Sequence, residues 1–383
     1  MLTKRINEKH YEFTYSYYEY DTPQTLSVEY ARYKCYKKLT KHFMNAFDIK
    51  EGEYINFLQP LILYGISKNQ NINDPVLLNF TSEAFIENFK KNKDIKLEEE
   101  EVKVKIRNLN NKVEKYINKL KTIEDVRILN KESEDDKILL EIKDRGNTRI
   151  ILSKFLYNKI CDRYRQHNQN NFNTEIVDKL IWSVLFRHKY LGLLESWQGS
   201  ISPIEIEYIR SKYNVDVELF GSMINVTLKY YGSMFPDIEK YFGSIGNFFN
   251  CNLIRGFFQM NPPTILWMLE SSFKRIREML DMTTDLTVFT STGVWDIYDR
   301  QKLNKYCNTN KATDYPNPKL DTLKRTKYIV IDRLYCQNVY KYHDYIGTKR
   351  NINTLQINII VVSNKYKKGE IQLDFLPDNY IEN

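Results

Sequence analysis

Hydrophobic and aromatic residues recur at helical spacing through residues 26–47, at Val28, Ala31, Tyr33, Cys35, Leu39 and Phe43, with Lys and Arg between them. That period predicts a basic amphipathic helix. A polar stretch over residues 67–74 separates it from a second predicted helix at 76–89. A charged arm follows in which Val102, Ile106, Leu109, Val113, Tyr116 and Leu120 alternate spacings of four and three, a short heptad seam. Such a seam packs against the body of its own chain or against a partner helix. Residues 126–129, 137–143 and 149–152 alternate apolar with polar between polar turns, which predicts a small antiparallel meander.

A polar run at 166–173 marks a boundary, after which the pattern becomes helix, short strand, helix, short strand. Residues 176–194 predict a long apolar helix, and Ser202-Pro203 with Glu205 starts the next. Strands are predicted at 215–220, 256–260, 286–289, 328–331 and 355–362, and a helix at 265–280 lies between the second and third. The expected class is α/β: a doubly wound domain over residues 171–383, preceded by a mostly helical domain over 1–170 that carries the meander.

Length supports two domains, since 383 residues exceed the usual size of one. A formal charge of +8 favours polyanionic partners, with nucleic acid foremost. The five cysteines are scattered and odd in number, so no disulfide scaffold is expected, and a reducing compartment and a cytoplasmic location are, with the nucleus as the alternative. Neither Cys nor His falls at zinc-ligand spacing, so no metal is expected. No apolar stretch approaches the span of a bilayer, and no signal segment is legible, so no membrane association is expected. Lys, Asn, Ile and Tyr are all abundant and all have AT-rich codons, so the 29 tyrosines are not in themselves a chemical signal.

The informative tetrapeptide is Asn261-Pro262-Pro263-Thr264, between a predicted strand and a predicted helix. Two prolines fix an extended backbone that has no donors of its own, leaving its carbonyls free to accept. The Asn261 side-chain oxygen and the Pro262 carbonyl can each take one proton of an exocyclic amino group. Held so, the nitrogen lone pair turns out of ring conjugation and can attack an electrophilic methyl group, with positioning as most of the catalysis. The same prolines can also simply end a strand and open a helix. Upstream, the strand at 215–220 ends in Glu218, followed by the small turn Gly221-Ser222 and by Asn225 and a predicted helix. An acidic residue and a tight loop at a strand's carboxyl end suit the ribose of a nucleoside-bearing cofactor.

Four blocks, Glu218-Leu219-Phe220-Gly221-Ser222-Met223-Ile224-Asn225, Phe235-Pro236-Asp237, Tyr241-Phe242-Gly243-Ser244-Ile245-Gly246 and Asn261-Pro262-Pro263, resemble in order and spacing the phosphorylated-CTD-interacting factor family. Weaker similarity runs through residues 182–194 and 328–362. The family consists of adenosine methyltransferases that modify the 6-amino group beside the messenger RNA cap. The resemblance implies a Rossmann-like class I methyltransferase domain that uses S-adenosyl-L-methionine. Asn261, Pro262, Pro263 and Thr264 would form the catalytic motif, and Glu218, Gly221, Ser222 and Asn225 the cofactor loop. The implied partner is RNA, the 5′ end of a capped messenger.

The family motif ends in an aromatic residue that stacks on the target base, and Thr264 stands at that position. Stacking contributes about 1 to 3 kcal/mol per base. Phe242, Phe248, Phe249 and Trp295 are candidate substitutes, and a catalytically silent relative that binds RNA or regulates is the competing reading. The four tryptophans, at 182, 197, 267 and 295, lack the paired spacing of a WW module. For RNA phosphates the candidates are Lys349 and Arg350, with Lys324-Arg325 and Lys365, Lys367 and Lys368 beside late strands. The run Tyr11, Phe13, Tyr15, Tyr17, Tyr18 and Tyr20 suits either base stacking or a plain strand.

Overall fold

The computed structural model describes residues 2–50, 65–66, 73–79, 98–142, 148–168, 172–194, 198–263, 266–293, 327–336, 339–346, 351–353, 357–378 and 381–382. It is a mixed α/β structure with two compact units, residues 18–193 and residues 2–17 together with 194–383. The boundary expected near residue 170 falls inside the first unit. The amino-terminal residues, assigned on sequence grounds to the first domain, belong to the second unit because they pair with its sheet.

In the first unit, α1 (Leu26–Ala46) is capped by Thr25, whose hydroxyl accepts from the Val28 amide. The charged arm is α2 (Glu99–Lys121), with three glutamates in its first turn and lysines in its last, matching the helix dipole. Its seam is Val102, Ile106, Leu109, Val113, Ile117 and Leu120. Ile117 therefore replaces the expected Tyr116, and the arm packs on α1. The meander is β3 (Leu129–Glu134), β4 (Lys137–Ile142) and β5 (Arg149–Ser153). Its first strand starts where sequence reasoning ended it, because the chain reverses in the short turn at Asp135-Asp136, with Asp135 at φ 36°. Helices α3 (Lys154–His167) and α4 (Thr174–Tyr190) complete the unit. Of the helix expected at 76–89, residues 76–79 are described and are not helical: the Asp74 carboxylate accepts from the amides of Val76 and Leu77, 2.9 Å each, and bends the chain there.

A buried, charge-balanced network fastens this unit. Glu29, on α1, accepts from Arg187 Nη2 at 2.6 Å, from Tyr190 OH at 2.8 Å and from Arg32. Arg32 in turn binds Asp74 at 2.9 Å and Thr22 at 3.2 Å. Glu29, Arg32, Asp74 and Arg187 are all essentially inaccessible to water. Burial alone would raise the Glu29 carboxyl, but the Arg187 and Arg32 guanidiniums outweigh it and bring it down to about 2.

The second unit is built on a mixed sheet of nine strands among the described residues. The hairpin β1 (Leu2–Asn7) and β2 (Glu12–Tyr17) leads, and β6 (Gly199–Ser200), helix α5 (Pro203–Tyr213), β7 (Val217–Glu218), β8 (Tyr230–Tyr231) and β9 (Cys251–Met260) follow. Next come helix α6 (Leu266–Met282), β10 (Asp285–Gly293), β11 (Ile329–Tyr335), β12 (Lys341–Asp344), β13 (Asn351–Asn353), β14 (Ile357–Ser363) and β15 (Ile381–Glu382). Helix α5 opens with the capping box expected at Ser202 and Glu205.

Strands β8, β7, β9 and β10 run parallel; β14 runs against β10, and β11 against β14. One edge of β9 serves two partners. Antiparallel β2 pairs along Cys251 to Arg255, and parallel β7 pairs at Gln259. The handover occurs at Gly256, whose φ of +123° is open to glycine and whose missing Cβ would lie 2.7 Å from that of Tyr11. Phe258, Met260, Leu286, Val288, Ile360 and Val362 face α6, meeting Leu269, Phe273, Ile276 and Leu280. By alternation Glu218, Phe257 and Gln259 face the other way, where Phe257 packs on Tyr213 of α5. A separate small sheet, β13–β12–β6, was not expected from the sequence.

Removing one partner of the buried network leaves an uncompensated charge, so Arg187→Met is expected to destabilise the first unit by about 3 to 5 kcal/mol, read by urea unfolding. A carboxyl near 4.5 when unfolded and about 2 when folded stabilises the fold at pH values above 4.5. Stability measured by denaturant titration should therefore fall as pH drops from 4.5 toward 2, and Glu29→Gln should flatten that dependence.

Candidate functional site at the carboxyl ends of the parallel strands

The chain leaves β7 toward β8 on one side and reaches β9 on the other, so the carboxyl ends of β7 and β9 border a topological switch. Three backbone bonds fix the loop there. The Leu219 amide donates to the Gln259 carbonyl at 2.7 Å, Gly232 to the Glu218 carbonyl at 2.8 Å, and Gly221 to the Gly232 carbonyl at 2.8 Å. Gly232 is obligatory, because a Cβ there would stand 2.2 Å from the Leu219 carbonyl oxygen. Gly221 passes close over the buried Glu218 side chain, its absent Cβ 3.4 Å from the carboxyl carbon.

Ser222 and Asn225, expected in the cofactor loop, are buried and hold that loop together. The Asn225 side-chain oxygen accepts from the Ser222 amide at 2.9 Å, and the Ser222 hydroxyl donates to Gln198 at 2.6 Å. A turn, not the expected helix, follows at residues 223–225. The buried Glu239 carboxylate accepts from the Met223 amide at 2.8 Å and the Tyr231 hydroxyl at 3.0 Å. Glu239, Gln198 and Gly232 were not anticipated. The Phe235-Pro236-Asp237 block pointed near Glu239, in the turn Pro236–Glu239, but nothing in the local pattern singled out Gln198.

Asn261 follows β9 directly. Its Nδ2 donates to Ser200 Oγ at 3.0 Å, and its Oδ1 receives the Tyr342 hydroxyl at 3.4 Å. Tyr342 is also 2.7 Å from Ser291 Oγ on β10. Burial raises the Tyr342 phenol well above its ordinary range, against the pull of the Ser291 hydrogen bond, so it remains a donor. Tyr345 is raised chiefly by burial and further by the Glu218 and Glu205 carboxylates, which places it within electrostatic reach of Glu218. Pro262 is buried and Pro263 half-buried. In register opposite Glu218 lies Gln259, which has no exposure and whose Oε1 and Nε2 have no hydrogen-bond partner among the described residues.

Thr264, Lys349, Arg350, Lys324, Arg325 and Trp295 lie outside the described residues. Phe242 and Phe248 are buried, and Phe248 packs on Phe220 5.0 Å away, so neither presents a face to a base. Lys365, Lys367 and Lys368 stand at the wrong end of the sheet for the phosphate role considered for them. Lys365 pairs with Asp285 at 2.9 Å, at the start of β10, while Met260 pairs with Thr290 near its end. At roughly 3.3 Å per residue the two positions are about 17 Å apart. Tyr11, Phe13 and Tyr17 are buried in the sheet's core, which resolves that run as a strand. Cys35, Cys161 and Cys251 are free. Among the described residues no group of His, Cys, Asp or Glu is arranged to hold a metal ion, and no helix is long and apolar enough to cross a membrane.

An amide buried without partners costs about 1 to 3 kcal/mol, so Gln259→Met should leave the free protein as stable or more stable by that order in thermal unfolding. Gly232→Ala, which forces backbone apart, is expected to lower stability by about 3 kcal/mol in the same assay.

Residues 154–310 match the family described as the phosphorylated CTD interacting factor 1 WW domain. Within that stretch the described residues form helices and the parallel part of the sheet, and Trp182 is fully buried in α4 with its indole donating to the Thr148 carbonyl at 2.8 Å. No curated protein matches the chain. A crystal structure of Thermoplasma acidophilum 1320 aligns with 7% identity over 56% of this chain and 99% of that one, at a TM-score of 0.19, too low to bear on the fold. Residues 154–310, which contain all four sequence blocks, are thus similar to the phosphorylated CTD interacting factor 1 family.

Proposed function

We propose that the protein is an S-adenosyl-L-methionine-dependent methyltransferase that acts on the 6-amino group of adenosine in RNA, at the nucleotide beside the cap of a messenger. The observation that carries this reading is the placement of Asn261 and Pro262 directly at the carboxyl end of β9, next to the Glu218 loop at the switch point. Strand order supports a Rossmann-like class I arrangement: four parallel strands, then the reversed β14 between β10 and β11. Similarity of residues 154–310 to the phosphorylated CTD interacting factor 1 family supports a cap-related adenosine methyltransferase in general.

The residues present fit the cofactor. Glu218 offers a buried carboxylate, Gly221 a close backbone approach, and Gln259 an orphaned amide able to donate and accept. Bound there, S-adenosyl-L-methionine supplies an electrophilic methyl group. Among the described residues Asn261 Oδ1 accepts one long hydrogen bond, and it retains a lone pair for one proton of the amine. The Pro262 carbonyl takes the other, since no proline amide competes for the chain there. Oriented by both, the amine needs no strong base, and its proton can pass to water. An adenosine at a chain end is unpaired, so presenting it avoids the cost of extruding a base from a duplex. Thr264 in place of the family aromatic favours one competitor, a catalytically silent RNA-binding relative.

Purified protein incubated with methyl-labelled cofactor and short RNAs beginning with adenosine, capped and uncapped, tests the reading. Label is expected on the 6-amino group of the capped adenosine, with Asn261→Ala lowering transfer by about a hundredfold. Absence of transfer, together with absence of S-adenosylhomocysteine binding by calorimetry, would leave the silent relative.

A further inference from the structure

Resting on the methyltransferase reading, we infer that Ser200 and Tyr342 are positioning residues that lock the Asn261 amide in the orientation that grips the target amine. A strand-end asparagine ordinarily has freedom about χ1 and χ2, and a displacement on the order of 1 Å at a reacting centre costs about a hundredfold in rate. Here both ends of the amide are held. Nδ2 is committed to Ser200 Oγ at 3.0 Å, and Oδ1 meets the Tyr342 hydroxyl at 3.4 Å, a bond long enough to hold direction while leaving accepting capacity.

The two anchors arrive together. Ser200 on β6 and Tyr342 on β12 lie in one small sheet, in which His343 pairs with Ser200 and Asp344 with Gly199. That pairing is braced on both sides. The Tyr345 hydroxyl donates to the Ile201 carbonyl at 3.1 Å, and the Tyr340 hydroxyl to Glu205 Oε2 at 3.1 Å. Glu205 itself closes the capping box at Ser202, two residues beyond Ser200. A second brace comes from the main sheet, where Ser291 of β10 fixes the Tyr342 hydroxyl at 2.7 Å. The small sheet thus carries two side chains to one amide, and neither needs to touch the RNA or the cofactor.

The test is steady-state methyl transfer to capped adenosine RNA by the full chain, with cofactor affinity measured in parallel by calorimetry with S-adenosylhomocysteine. Ser200→Ala and Tyr342→Phe should each lower kcat by about tenfold or more at saturating RNA, with affinity for S-adenosylhomocysteine unchanged. Ser200→Thr, which keeps the hydroxyl and suits a strand, should restore kcat. If kcat is unchanged in both variants, or if kcat and cofactor affinity fall in step and threonine fails to rescue, the positioning role is overturned. Should Ser200→Ala not fold, Tyr342→Phe, which deletes one oxygen, carries the same comparison. Wild-type protein that binds no S-adenosylhomocysteine and transfers no methyl group overturns the methyltransferase reading itself, and the positioning role with it.

Discussion

One backbone hydrogen bond, from the Leu219 amide to the Gln259 carbonyl at 2.7 Å, sets the geometry of the candidate site. Strand β7 is two residues long and has little pairing of its own. Through this bond its end is laid beside the last residues of β9, so that the Glu218 loop and the Asn261 motif become neighbours. The contacts between Gly232, Glu218 and Gly221 then propagate that placement outward, and buried carboxylate and amide groups on both sides replace water as the partners of loop amides. Each such bond in a dry setting is modest in net stability yet costly to leave unmade, which is why the loop has one conformation to adopt.

Elements with strong local signals were legible in the sequence. The α5 start was visible because Ser202 and Glu205 satisfy orphan helix-end amides and Pro203 at the first turn has no amide to satisfy. The strand ending at Met260 was visible because apolar residues run up to an Asn-Pro-Pro break, although its first five residues, which pair with β2, were not. Asn261 and Glu218 stand at strand ends, as the sequence pattern around them predicts. Ser222 and Asn225, expected to serve a cofactor, have their side chains engaged in hydrogen bonds that hold their own loop and Gln198.

Partners distant in sequence were invisible. Ser200 and Tyr342 meet Asn261 through a small sheet whose strands are two to four residues long, too short for any period to register. The lysines after β14 looked like phosphate ligands because a sequence gives no direction to a strand. Once β14 is seen to run against β10, those lysines are carried to the far end. In the first unit, the polar members of the Glu29 network sit among apolar neighbours on α1 and α4, and only tertiary contact reveals that two acids and two guanidiniums neutralise one another.

The amino-terminal hairpin gives the protein an unusual order of assembly. Arg255 reaches back to the Lys9 carbonyl, 246 residues away along the chain, and the β1–β2 hairpin joins the rest of the sheet through the pairing of β2 with β9. As the chain leaves the ribosome, residues 2–17 emerge ahead of residues 18–193, which contain the contacts of a compact unit by themselves. This hairpin is therefore fastened later than the unit that follows it, and Tyr11 and Phe13, buried in the finished sheet, wait in solvent until β9 has been translated.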